Sequence, residues 1–217
     1  MQHLDEIAEN IRQSFDAHTA VRDQALSQAR TLTRHCAHAI RAVHRDERDQ
    51  AQEQLDAAKI LADSLRETLT EHPSVYYTGY TQDALKEFAE AMVFFSLADG
   101  DDLPSNQDLK LEENTYLKGL AESVGEMRRR ILDILRHGYS DEVERLLSHM
   151  DDIYAVLVTM DYPDAVTHGL RRLTDICRGI IERTRGDITI SLRQERLEES
   201  LRKVEQRLDN YNPNLVE

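Results

Sequence analysis

The chain has 217 residues, enough for one domain to bury a substantial core by itself, and a formal net charge of -14, which excludes a general nucleic-acid coat unless its bases are gathered locally. Glycine (8) and proline (4) are scarce, tryptophan is absent, and Ala, Leu, Glu, Arg and Gln run long; this excludes a β-rich design and predicts an all-α chain. No apolar run reaches the ~18–20 residues of a membrane span, and the opening "MQHLDEIAEN" lacks the charged-then-apolar order of a secretory leader, so a cytoplasmic protein with no membrane partner is expected.

Residues 3–46 contain neither Gly nor Pro, and Leu4, Ile7, Ile11 and Phe15, then Leu32, Cys36, Ala39, Ile40 and Val43, recur at helical spacing. A very long N-terminal helix, or two nearly collinear ones, is predicted. Along it Arg30, Arg34, His38, Arg41, Arg45 and Arg48 fall in one narrow stripe, with His44 beside it. This basic rail is either a solvated face paired with acids of a neighbouring helix or a phosphate-tracking surface, for which the guanidinium fork is suited. A second helix fits 48–71 and ends before Pro73 and Gly79, where Tyr76, Tyr77 and Tyr80 cluster.

Thr81 is expected to cap a third helix that runs to about residue 98 and contains "KEFAEAMVFF". Glu87 and Glu90, at i and i+3, share one side of that apolar segment, where two carboxylates repel unless a cation joins them. A fourth helix fits 111–137 with Gly138 as its stop, and carries Glu122 and Glu126 at i and i+4. Gly119 and Gly125 beside that pair would admit another backbone or a ligand. A fifth helix fits 141–159, a sixth runs from Pro163 to about Arg185 before Gly186, and the remainder reads as a charged helix with a frayed tail. The expected architecture is a single-domain bundle of about seven helices over 1–200, followed by a charged C-terminal tail at 201–217.

Each glutamate pair taken alone is an ion-paired or exposed helix face. Taken together, the two pairs can assemble hard oxygen ligands from adjacent helices, a donor set suited to Mg²⁺ or Mn²⁺. No Glu-x-x-His motif accompanies Glu87 or Glu90, which argues against a di-iron oxidase. Cys36 and Cys177 stand far apart in helical contexts without CxxC spacing and are expected to be buried, reduced thiols.

The segment "YLKGLAESVGEMRRRILDILRHGYSDEVERLLSHMDDIYAVL", followed by "GLRRLTDICRGIIERTRGD", resembles the second half of the translin family. "LKEFAEAMVFF" resembles the preceding helix of its factor X, or nuclease, branch, and "AIRAVHRDE" resembles the Val-His segment closing the family's first long helix. The resemblance runs over roughly residues 5–200. It implies a seven-helix bundle and, for the nuclease branch, catalytic and metal-binding acids at Glu87, Glu90, Glu122 and Glu126. Glu122 stands where the eukaryotic nuclease subunit usually has Asp.

The resemblance further implies a Mg²⁺- or Mn²⁺-dependent endoribonuclease acting on single-stranded RNA inside a closed homo-oligomer, commonly an octamer. The acidic, arginine-rich composition and the missing eukaryotic extensions are similar to an archaeal member. Arg30, Arg34, His38, Arg41, His44 and Arg45 are then the expected nucleic-acid contacts. The alternative is a non-catalytic protein that binds single-stranded RNA or DNA, its glutamates merely paired with arginines.

Overall fold

The structure, a computed structural model, describes residues 2–211, with side chains for 3–208. Among the described residues there are eight helices and no strand: α1 (Gln2–His44), α2 (Arg48–Leu69), α3 (Pro73–Tyr76), α4 (Gly79–Asp99), α5 (Glu113–Leu135), α6 (Asp141–Val158), α7 (Asp164–Thr167) and α8 (Leu170–Tyr211). Contacts divide the chain into two compact units. One comprises the chain through Ser123 together with Tyr162–Leu170, the other Val124–Asp161 and the chain from Arg171 onward.

In the first unit α1 packs against α2 and α4. The seam is legible as alternating steps of four and three: α1 buries Ala25, Ala29, Leu32, Cys36, Ala39 and Val43, and α2 buries Ala51, Leu55, Ala58, Ala62, Leu65 and Leu69. A repeat of about 3.5 residues keeps two helices facing each other along their length, and the alanines in the seam allow a close approach. Each fully buried leucine contributes roughly 1.5–3 kcal/mol of apolar transfer. The first turns of α1 lie outside this seam, so Leu4, Ile7, Ile11 and Phe15 are exposed although their spacing is helical.

The chain reverses after His44 with Asp46 in the left-handed region at φ 58, a conformation that Asp tolerates better than most residues. This turn takes Arg48 out of the predicted rail. It opens α2 instead, paired with Asp99, bonded to Asp101 at 2.9 Å and stacked 4.9 Å from the centre of the Phe95 ring.

The helix α4 is buried almost all round, through Ala84, Leu85, Phe88, Ala89, Ala91, Val93, Phe94, Phe95 and Leu97. A helix without a polar face belongs in a core, and here it brings Glu90 in with it. Thr78, rather than Thr81, is the residue that precedes the helix. Thr81 is buried in its first turn, its hydroxyl donating to the Val75 carbonyl at 3.1 Å. The C-terminus closes on Gly100 at φ 79, the left-handed cap that only glycine adopts without strain.

In the second unit α6 buries Val143, Leu146, Met150, Ile153 and Leu157, and α8 buries Cys177, Ile181, Thr184 and Ile188. The single helix expected from Pro163 to Arg185 is instead interrupted by His168 (φ 47) and Gly169 (φ 89), with the Gly169 amide donating to Asp164 at 2.7 Å. Gly186 does not stop α8; an interior glycine costs a helix only about 1 kcal/mol, and the burial of Ile181, Thr184 and Ile188 on either side holds the helix through it. No helix among the described residues is long and apolar enough to cross a membrane.

Candidate metal centre

The expected meeting of α4 and α5 occurs, and a glycine makes it possible. A Cβ added at Gly119 would stand 2.5 Å from the Ala89 Cβ, 2.7 Å from the Lys86 carbonyl oxygen and 2.9 Å from the Glu90 nitrogen. The α5 backbone therefore rests directly on the middle of α4, an approach that no residue with a side chain permits. The crossing is pinned at the start of α5 by the Thr115 hydroxyl, which donates to Gln82 of α4 at 2.6 Å. Tyr116 fixes the incoming loop by donating to the Pro104 carbonyl at 2.8 Å.

Glu122 lies three residues beyond Gly119, on the same face of α5. The crossing delivers it to the first carboxylate pair. One oxygen each from Glu87, Glu90 and Glu122 lies within 4.8 Å of the others. Glu87 and Glu122 are half-buried, and Glu90 is 8% exposed. Three hard oxygen donors at this spacing fit a divalent cation such as Mg²⁺ or Mn²⁺. Glu126 is not a member of this triad. It falls one turn further along α5, past the division after Ser123, with Arg129 Nη1 at 3.8 Å. Gly125 has open space around it, unlike Gly119.

Sequence reasoning missed two neighbours of the triad. The Lys86 ammonium stands 2.6 Å from Glu122 and 3.3 Å from Glu87, so a positive charge already occupies part of the cluster. Burial by itself lowers the pKa of this lysine, but the hydrogen bond to Glu122 and the charges of Glu122 and Glu87 override it and hold the value above the ordinary lysine range. Cys36, buried on α1, is the second. Burial pushes its thiol pKa up and the negative charges of Glu87 and Glu90 push it further, so it stays a protonated thiol. Neither residue has a local motif; only the spacing of Cys36 within the apolar stripe of α1 marked it as inward-facing.

Arg30, Arg34, His38 and Arg41 of α1, and Arg45 in the turn just past it, are all exposed. None of the four arginines makes an ion pair with a carboxylate among the described residues, and Arg41 Nε donates only to the Ala37 carbonyl one turn back, at 3.1 Å. His44 turns away from this face: it is half-buried with its ring 4.9 Å from that of Phe94. A cavity of about 280 Å³ opens where His38 and Arg41 of α1, and Arg45 of the turn that follows it, face Gln50 and Gln54 of α2. The two glutamines add amide donors and acceptors to the cationic lining and were not singled out in the sequence. Gln50 is exposed, and Gln54 is half-buried with its Oε1 2.9 Å from His35 Nδ1 of α1; nothing in the periodicity of α2 marks either.

An all-α fold with a three-carboxylate cluster and an unpaired arginine face on one long helix defines a helical, nucleic-acid-associated protein. Comparison with known proteins narrows this. No protein-family model matches the chain. It is 34% identical over 188 residues to the uncharacterized protein MJ0175 of Methanocaldococcus jannaschii, covering 86% of this chain and 83% of that one. Among solved structures, AfC3PO superimposes with a TM-score of 0.79 and 30% identity, covering 85% of this chain and 96% of that one. AfC3PO in complex with duplex RNA gives the same score and identity over 95% of its chain. The structure of apo-NeC3PO, at 18% identity and a TM-score of 0.77 over 85% of this chain and 96% of that one, shows the shared fold. The chain belongs to the translin family.

Proposed function

We propose that this protein is a metal-dependent endoribonuclease that cuts single-stranded RNA within a closed homo-oligomer. The observation that supports this best is the convergence of Glu87, Glu90 and Glu122 from two helices to within 4.8 Å. These three would hold Mg²⁺ or Mn²⁺, with Glu126 one turn further along α5 as a fourth candidate ligand. A bound ion of this kind lowers the pKa of a coordinated water and offsets charge on a phosphodiester. Glu90, fixed by the burial of α4, and Glu122, fixed by the Gly119 crossing, are held in place by packed helices rather than loops, as a site of defined geometry needs.

Arg30, Arg34, Arg41 and Arg45 would grip phosphates, and His38, Gln50 and Gln54 would line the adjoining cavity without reading a long sequence. The complex of the similar AfC3PO with duplex RNA supports RNA as the ligand class. Self-association, as an octamer or another closed ring, is supported by two exposed apolar stripes: Leu4, Ile7, Ile11 and Phe15 on α1, and Leu197, Leu201, Val204 and Leu208 on α8. The acidic composition and the Methanocaldococcus jannaschii relative support an archaeal type, and a cytoplasmic location is proposed with it.

One observation favours a second reading. Lys86 pairs with two of the three carboxylates, as expected of a structural cluster in a protein that binds RNA or single-stranded DNA without cutting it. The two readings separate in one assay: incubation of an unstructured RNA and a duplex RNA with the protein, with Mg²⁺ or with EDTA, for the wild type and Glu122→Gln. Cleavage of the unstructured RNA that needs both Mg²⁺ and Glu122 supports the nuclease. Binding that persists in EDTA, with no cleavage under any condition, supports the second reading.

A further inference from the structure

The carboxylate cluster contains a cation of the protein's own. Lys86 starts at the helix crossing, its backbone carbonyl pressed against Gly119, and its side chain reaches along α5 to Glu122, one turn past that glycine. The ammonium ends 2.6 Å from Glu122 and 3.3 Å from Glu87, with the side chain only 15% exposed. Neighbouring positions on a helix do not normally share a face, so Lys86 and Glu87 meet only because both side chains bend toward α5. A lysine enclosed in this way is not a solvated surface partner.

Charge then limits what else the cluster accepts. Counted as ionised, the three carboxylates of the triad carry three negative charges and the ammonium returns one, and the remaining two match a single divalent ion; Glu126, with Arg129 Nη1 at 3.8 Å, stands outside this count. A second divalent ion would leave the part-buried cluster with excess positive charge, which reduced solvent screening there disfavours. We propose that Lys86 is the resident cation of this centre, so that each chain takes one divalent ion beside the ammonium rather than two, and that the lysine weakens divalent binding by competing for Glu87 and Glu122. This rests on the reading of Glu87, Glu90 and Glu122 as a metal centre. Within that reading Lys86 is a specificity-determining residue: its ammonium does for the site's charge what a second metal ion does elsewhere, and it sets the concentration at which the ion loads.

The experiment is titration of the full-length protein, in its native assembly and without RNA, with Mn²⁺, read by calorimetry and by the electron paramagnetic resonance signal of free Mn²⁺. Lys86→Met, Lys86→Arg and Glu122→Gln are compared with the wild type. One Mn²⁺ per chain is expected in the wild type, with weaker binding in Glu122→Gln. Lys86→Met should bind Mn²⁺ at least about tenfold more tightly or accept a second ion, and Lys86→Arg should stay near the wild type.

Two ions per chain in the wild type would overturn the proposal. So would unchanged affinity and stoichiometry in Lys86→Met alongside weakened binding in Glu122→Gln, a result that leaves the metal centre standing and removes Lys86 from it. Mn²⁺ binding indifferent to Glu122→Gln and Glu90→Gln would overturn the metal centre itself, and this inference with it. Should Lys86→Met fold poorly without metal, the rise of its thermal midpoint on adding Mn²⁺ decides: a larger rise than in the wild type supports the proposal, an equal one overturns it.

Discussion

Gly119 lies so close to Glu90 that a Cβ on the glycine would stand 2.9 Å from the Glu90 backbone nitrogen. The two residues sit on different helices, and their contact sets the spacing on which the whole carboxylate cluster depends. The nearest obstacles are backbone atoms and a β-carbon, which cannot swing aside. Gly119→Ala should therefore destabilise the fold by ~1–3 kcal/mol as α5 is pushed off α4. It should also weaken Mn²⁺ binding, since Glu122 moves with α5. Chemical denaturation and metal titration of the same variant check both, and a variant with wild-type stability would show that the crossing is looser than this contact implies.

Glu90→Gln keeps the size of the side chain and removes its charge from a buried position. RNA cleavage in Mg²⁺ should fall on the order of a hundredfold, as for loss of a metal-ligating group, while RNA binding stays within a few-fold of the wild type. Single-turnover cleavage measured beside filter binding tests the pair of expectations. A variant that cleaves at the wild-type rate would remove Glu90 from the site.

The arginines of α1 should act through phosphate contacts, and salt dependence reports those. Arg34→Ala and Arg41→Ala should each weaken binding of a single-stranded RNA similarly whatever its sequence, and each should lower the slope of log affinity against log salt by roughly 0.7. His44→Ala should change that slope little, because the ring faces Phe94. Its cost should appear in the thermal midpoint instead.

Lys86 links the cluster to alkaline stability. Its pKa in the folded protein is raised above the ordinary lysine value, so its contribution to stability is fully present below that ordinary value and is lost as pH rises through the folded one. Thermal midpoints recorded from about pH 8 to about pH 12 should fall at the alkaline end, and Lys86→Met should show a smaller part of that fall. An identical profile in the variant would mean that the ammonium is not held by Glu122 and Glu87 in solution.

Some parts of this molecule were legible in the linear order of residues. The four-and-three steps of Ala25, Ala29, Leu32 and Cys36, matched by Leu55, Ala58, Ala62 and Leu65, specify two helices that face each other. The near-continuous apolar run around Glu87 and Glu90 marks α4 as a core helix. Scarcity of Gly and Pro determines an all-α chain. Other features were not legible. The single left-handed residue Asp46 removes Arg48 from the rail, and His168 with Gly169 cuts a helix that the apolar periodicity would have continued. Such breaks depend on one residue's backbone conformation, which periodicity averages over.

The sequence by itself determined which faces are apolar, where the glutamate pairs stand on their helices and that Arg30, Arg34, Arg41 and Arg45 share one side, because these follow from the pitch of a helix. Only the tertiary structure decided that Glu122 joins Glu87 and Glu90 while Glu126 falls outside the triad, that Lys86 enters the cluster, and that the buried Cys36 of another helix feels the charges of Glu87 and Glu90. Those outcomes hang on the depth and position at which α5 crosses α4 at Gly119, a distance between backbones far apart in sequence, which no local spacing records.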